Sequence, residues 1–280
     1  MQTVSDNNSS AIREIFGRDK VLIGMVHCPA FPGAPRYQGS SMDALYDACM
    51  RDADALVGGG LHGLMIENHG DVPFSKPEDI GPETAAFMSV VTDRVARATG
   101  VPLGVNVLAN APIPAFAVAM GGGARFIRVN QWANAYVANE GFMEGRAAAA
   151  MRYRSLLRAE HIKVFADSHV KHGAHAITAD RTIQELTRDL AFFDADVVIA
   201  TGQRTGNAAS VAEIEEIRTA THLPLLVGSG VDTTNVVEIL GLTSGVIVAS
   251  SLKQDGVWWN PVDPLRVKAF VEAARPALEV

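Results

Sequence analysis

Leu226-Val227-Gly228-Ser229-Gly230-Val231-Asp232 and Ile247-Val248-Ala249-Ser250-Ser251-Leu252-Lys253 are apolar runs that stop abruptly in small residues. A buried parallel strand ending this way leaves backbone N–H groups uncovered, and small side chains let an anion approach them closely. The first run also leads into the start of a helical segment. The pair reads as a phosphate site made by Gly228, Ser229, Gly230, Ser250 and Ser251, the plain alternative being two tight strand-to-helix turns. Thr201-Gly202-Gln203-Arg204-Thr205-Gly206 is a third small-residue turn, where Gly202 offers backbone donors and Arg204 a charge.

Polar residues close the other apolar runs: His27, Glu67 with Asn68, Asn106, Asn130 with Gln131, and Asp167 with Ser168 and His169. Buried polar groups are costly unless paired, so these are expected to face a polar cavity or one another. Glu67 and Asp167 are the general acid or base candidates, with a structural carboxylate as the alternative for each. His27 and His169 join them in proton transfer, and Asn68, Asn106, Asn130 and Lys171 are candidate substrate contacts. If the chain stays extended past Asp167, then Asp167, His169 and Lys171 share one face. No cofactor is expected, but Glu67, Asp167 and His169 are a subsidiary divalent-metal set, although no closed metal signature is present. Lys171 as a Schiff-base nucleophile and Cys28 beside His27 as a thiol nucleophile are lesser readings. Trp258-Trp259 reads as packing or a subunit contact.

The elements that must position these groups follow from periodicity. Eight apolar runs of strand length recur: 21–27, 63–68, 102–108, 125–130, 163–168, 196–202, 224–230 and 245–251. Helix-compatible segments separate them, at 43–57, 83–99, 114–120, 144–159, 180–193, 210–221 and 233–240, with a last one at 263–274. Strict alternation predicts a parallel sheet with helical crossovers, and eight such units fit a single (β/α)8 barrel of the phosphate-binding type. The segments leaving strands one, two, four and five are long and those entering strands are short, which puts the site at the strand exits. Residues 1–19 are expected to cover the barrel bottom through Ile12, Ile15 and Phe16, and residues 20–280 to form the barrel.

Composition narrows the partners. The 280-residue chain is 48% hydrophobic and 20% charged, with a formal net charge of -7. That balance supports a large core and argues against a general binder of nucleic acid or of anionic membranes. The two cysteines, Cys28 and Cys49, are too few for a disulfide framework. The polar start of the chain does not read as a signal peptide and no run is long enough for membrane insertion, so a cytoplasmic protein is expected. The apolar stretch Val257-Trp258-Trp259 points to a homo-oligomer.

Several stretches resemble the BtpA family. They include Gly24-Met25-Val26-His27 with Pro32-Gly33-Ala34-Pro35-Arg36-Tyr37, and Glu67-Asn68-His69-Gly70-Asp71-Val72-Pro73-Phe74. Phe126-Ile127-Arg128-Val129-Asn130, Ala166-Asp167-Ser168-His169-Val170-Lys171-His172, Thr201–Gly206 and Gly228-Ser229-Gly230-Val231 follow in the family's order. The resemblance implies a TIM barrel related to the phosphate-binding barrels, and it implies no particular reaction. The family takes its name from a role in photosystem I biogenesis, while relatives elsewhere occur beside sugar-uptake and sugar-phosphate genes. The chain departs from the family pattern at Ala111, where an aspartate is usual, and at His175, where a proline is usual. If those positions touch substrate, the substrate differs. The expected activity is carboxylate–histidine chemistry on a phosphorylated small metabolite, a sugar or nucleoside phosphate, of isomerase or lyase type. N-glycosidic hydrolysis is the runner-up, and a non-catalytic assembly factor or a phosphometabolite sensor are the rivals.

Overall fold

The computed structural model describes residues 10–202 and 209–279. Ten strands occur in chain order: β1 Val21–His27, β2 Gly63–Glu67, β3 Leu103–Asn106, β4 Phe126–Val129, β5 Ala135–Ala138, β6 Gly141–Glu144, β7 Lys163–Asp167, β8 Val197–Ala200, β9 Leu225–Val227 and β10 Gly245–Val248. The helices are α1 Ala11–Phe16, α2 Met42–Gly58, α3 Pro82–Thr99, α4 Pro112–Gly122, α5 Ala147–Leu156, α6 Ile183–Phe192, α7 Val211–Ala220, α8 Val236–Leu242 and α9 Pro264–Leu278. Eight of the strands close into one parallel barrel in the order β1-β10-β9-β8-β7-β4-β3-β2, and β5 and β6 form a separate antiparallel pair. The (β/α)8 architecture expected from the alternation is the one observed.

Alternation within each strand divides the core in two. On β1, Val21, Ile23 and Met25 join Met65, Phe126, Phe165, Ile199, Leu226 and Ile247 inside the barrel. Leu22 and Val26 face outward into the layer between sheet and helices. Side chains of period two on tilted strands require this split. Phe126 and Phe165 stack with centroids 4.3 Å apart. Beneath them α1 buries Ile12 and Ile15, and Phe16 packs on Phe126 at 5.8 Å. Lys163 Nζ ties to Glu14 Oε2 at 2.8 Å across the same end.

Local signals set the helix starts. The Ser41 side chain accepts from Ala44 N–H ahead of α2, and Asp263 does the same for α9. Thr182 and Glu185 form a reciprocal capping box at α6. Apart from β1, the strands are shorter than the apolar runs. The 224–230 run keeps only Leu225–Val227 in the sheet. The segment expected as a bare loop from 131 to 143 instead holds the β5–β6 hairpin, and Glu144 belongs to that hairpin rather than to α5. Val137 of the hairpin bridges to Ala174 in the loop after β7. Among the described residues no helix is long and apolar enough to cross a membrane.

Candidate functional site

The strand exits open into a cavity of about 720 Å³, lined by both expected phosphate turns and by the carboxylate–histidine residues of β1 and β2.

One wall grows from adjacent strands. Parallel pairing sets His27 opposite Glu67 and Glu67 opposite Asn106. Asn106 Nδ2 donates to Glu67 Oε2 at 2.7 Å. The other oxygen, Oε1, lies 3.0 Å from His69 Nδ1 and 3.7 Å from His27 Nε2. The two imidazoles stack with centroids 4.5 Å apart. Trp258 stands edge-on to His69 at 4.2 Å, and its carbonyl is 3.3 Å from His27 Nδ1. Burial pushes His27 down to about 3, against the pull of Glu67, so it is a neutral imidazole at pH 7. Burial would raise Glu67, but His69, His27 and Arg128 outweigh it and hold the carboxylate well below its usual range. Among the described residues, His27, Glu67 and His69 are the group whose donor atoms converge, all within 4.8 Å of one another.

Arg128 and Asn130 also line the cavity, and both hold Asp167, which does not reach its wall. Arg128 on β4 grips Asp167 on β7 through two hydrogen bonds, and Asn130 Nδ2 adds a third at 3.1 Å. Burial works against the Arg128 charge, and Asp167 more than offsets it. Lys171 lines the cavity beside them and makes no hydrogen bond or ion pair with the described residues. Burial, then Arg128, pushes its ammonium below the usual lysine value, with Glu67 and Asp167 pulling the other way.

The neighbouring wall, after β9 and β10 next to β1 in the barrel, is the small-residue pair of turns. Gly228, Ser229, Gly230, Ser250 and Ser251 all line the cavity. Ser251 Oγ donates to Val231 O at 2.7 Å and so links the two turns. Asn235 braces the first, donating to Gly230 O and accepting from Asp232 N–H, both at 2.9 Å. Gly230 sits at φ 67°, the left-handed region that suits glycine. A Cβ at Gly228 would stand 2.7 Å from Ile199 Cγ2 and 3.5 Å from Arg128 Nη2, so only glycine fits the close packing of this turn beside the guanidinium. The helix expected to start directly after this turn begins only at Val236.

Several expectations are corrected by these positions. β7 ends at Asp167, so the period-two face of Asp167, His169 and Lys171 does not form. His169 turns aside and lies against His175, ring centroids 3.9 Å apart, outside the residues that line the cavity. Asp167 is committed to Arg128 and is remote in the strand order from Glu67, with β3 and β4 between their strands. The expected metal set of Glu67, Asp167 and His169 is therefore not the one brought together. Asn68 does not line the cavity either, because its side chain bonds Leu108 N–H, Leu108 O and Asp71. Asn106 reaches the site only through Glu67. Gly202 also lies off the cavity wall, and Arg204 lies outside the described residues. Ala111 is buried at the start of α4 and His175 bonds Val170 O at 2.8 Å, so neither departure from the family pattern lines the cavity. Trp258, read as packing, is part of the cavity wall, whereas Trp259 is 69% exposed.

Arg128, His69, Tyr136 and Trp258 were not singled out for the site. An arginine inside the apolar run Phe126–Val129 was the available signal for Arg128, and His69 falls two residues past Glu67, on the same side of an extended chain. Tyr136 gives no such signal, since the hairpin carries it to the rim; burial pushes its phenol above the usual tyrosine value.

The family whose sequence model matches residues 18–276 is the BtpA family. The photosystem I biogenesis protein BtpA of Synechocystis is 34% identical, with 95% of this chain and 92% of that protein covered. Among solved structures, Mycobacterium tuberculosis tryptophan synthase aligns at TM-score 0.61 and 13% identity, covering 98% of this chain and all of that one. Thiamine phosphate pyrophosphorylase from Pyrococcus furiosus aligns at 0.55 and 12% identity, over 93% and 98% of the two chains. At these identities the structural likeness establishes the shared barrel fold.

Proposed function

We propose, for a chain that belongs to the BtpA family, that it is an enzyme acting on a phosphorylated small metabolite, a sugar or nucleoside phosphate. One observation carries this reading: the linked glycine and serine turns share a single cavity with Lys171 and with the His27–Glu67–His69 wall. The Gly228 N–H is engaged by Ala200 O, but the backbone N–H groups at Gly230, Ser250 and Ser251 suit a phosphate, and Lys171 supplies a cation that the fold has not already neutralised. A phosphate held there leaves the rest of the ligand within reach of the neighbouring wall on β1 and β2, where an ionised carboxylate and a neutral imidazole face each other. Carboxylate and imidazole are the group types that move protons next to a carbonyl, the chemistry of isomerases and lyases, once a bound ligand brings their proton affinities towards neutrality. N-glycosidic hydrolysis uses the same groups and ranks second. The solved neighbour named for thiamine phosphate is in keeping with a phosphorylated ligand on this barrel. The name of the Synechocystis relative favours a second reading, an assembly factor without turnover.

Thermal unfolding in the presence of sugar phosphates and nucleotides, beside their dephosphorylated counterparts, tests the binding. A ligand at 100 times its dissociation constant stabilises by about 2.7 kcal/mol. Shifts confined to phosphorylated compounds support the reading, and equal shifts from both sets refute it. Product analysis on the compounds that bind then separates isomerase, lyase and hydrolase, and unchanged ligand throughout favours the assembly role.

A further inference from the structure

We infer that His27, Glu67 and His69 form a binding site for a divalent transition-metal ion of the zinc type, open towards the cavity. The inference stands apart from the phosphate reading, because it concerns metal uptake in the absence of any substrate.

The hydrogen bonding around the three residues points to it. A backbone carbonyl can only accept, so the 3.3 Å contact of His27 Nδ1 with Trp258 O places the ring hydrogen on Nδ1. The other ring nitrogen, Nε2, is then turned towards Glu67 Oε1 at 3.7 Å, too far for a hydrogen bond. A metal ion bound to both atoms fits between them at that separation. His69 Nδ1 reaches the same oxygen at 3.0 Å but without hydrogen-bond alignment, and it is a buried atom with no hydrogen-bond partner. Three ligand atoms therefore converge on one point instead of satisfying one another.

The surroundings are those of a metal centre as well. Asn106 holds Glu67 Oε2, which leaves Oε1 as a single-oxygen ligand of fixed direction. The Trp258 carbonyl fixes the His27 tautomer in the same way. Partners that orient a ligating carboxylate and a ligating imidazole are the usual outer shell of a metal site. Two of the donors stand opposite each other on adjacent barrel strands, so the scaffold is rigid. A two-nitrogen, one-oxygen set suits zinc, cobalt, iron or nickel better than magnesium or calcium, which favour all-oxygen shells. Three protein ligands leave a coordination position for water or substrate, as in catalytic rather than closed structural sites.

The test uses the full chain stripped with a chelator and titrated separately with Zn²⁺, Co²⁺ and Mg²⁺. One Co²⁺ per chain is expected, with visible absorption typical of nitrogen and oxygen ligands and no thiolate charge-transfer band from Cys28 or Cys49. Glu67→Gln and His69→Ala are each expected to weaken Co²⁺ binding about tenfold or more. Circular dichroism confirms that each variant is folded, and His69→Gln, at the most exposed of the three positions, replaces any that is not. Failure to bind Zn²⁺ and Co²⁺, a preference for Mg²⁺, or binding that survives these substitutions undiminished overturns the assignment.

Discussion

Arg128 and Asp167 meet side-on between neighbouring strands, Nε to Oδ1 at 2.9 Å and Nη2 to Oδ2 at 3.0 Å. Their side chains are 5% and 1% exposed, so neither charge has water to fall back on. Removing one partner of a buried pair strands the other, at about 3 to 5 kcal/mol. Asp167→Asn is expected to destabilise by that order in urea unfolding. A loss well under 1 kcal/mol would mean that the pair is not closed in solution.

Lys253 and Asp52 offer a parallel case outside the cavity wall. Both side chains are buried against each other, and Asp52 Oδ1 also accepts from Val262 N–H at 2.9 Å. Lys253→Met alone leaves a buried carboxylate and is expected to cost about 3 kcal/mol, whereas the double variant with Asp52→Leu recovers much of that. A double-mutant cycle on unfolding free energies decides it; additive losses would contradict the pairing.

Acid sensitivity has a source far from the site. His62 Nδ1 accepts from Leu22 N–H at 3.1 Å, and burial, with Arg18, lowers the imidazole from 6.5 to about 4. The folded chain thus binds fewer protons than the unfolded chain between those values. Stability is complete above pH 6.5 and declines as the pH falls towards 4, by less than about 1.4 kcal/mol per pH unit because the ring is partly exposed. Unfolding midpoints of wild type and His62→Phe, compared from pH 7 to 4.5, should show a shallower decline in the variant. Equal slopes would remove His62 from the account.

Gly230 separates backbone strain from ligand recognition. Gly230→Ala places a side chain at φ 67° and is expected to destabilise by about 1 kcal/mol. Because the same turn is the proposed phosphate cradle, affinity for phosphorylated ligands should fall at least about tenfold, while dephosphorylated ligands are little affected. Titration calorimetry on both kinds of ligand measures this, and unchanged phosphate affinity would move the cradle elsewhere.

Much of this was legible in the chain. β1 runs from Val21 to His27 as read, because an unbroken apolar run has no other home in an alternating chain. Glu67 and the two small-residue turns reach the cavity because strand exits in a closed barrel share one end. What could not be read depends on contacts between strands distant in sequence. Asp167 looks like a free carboxylate until the closed sheet brings Arg128 beside it, 39 residues away. His169 follows a period-two pattern only while the chain stays extended, and it stops at Asp167. The β5–β6 hairpin has strands of four residues with mixed polarity, too short for periodicity to reveal.

The stacked Phe126 and Phe165, with α1 packed below them, make the barrel a cup rather than a tube. Among the described residues that floor closes the barrel's lower end, so a ligand of the cavity would enter and leave by one mouth, at the strand exits. A departing molecule must clear that mouth before the next can settle, so whatever is released competes directly with whatever is arriving. Occupancy of this site is a queue, and its length at any moment is set by how fast the last occupant leaves.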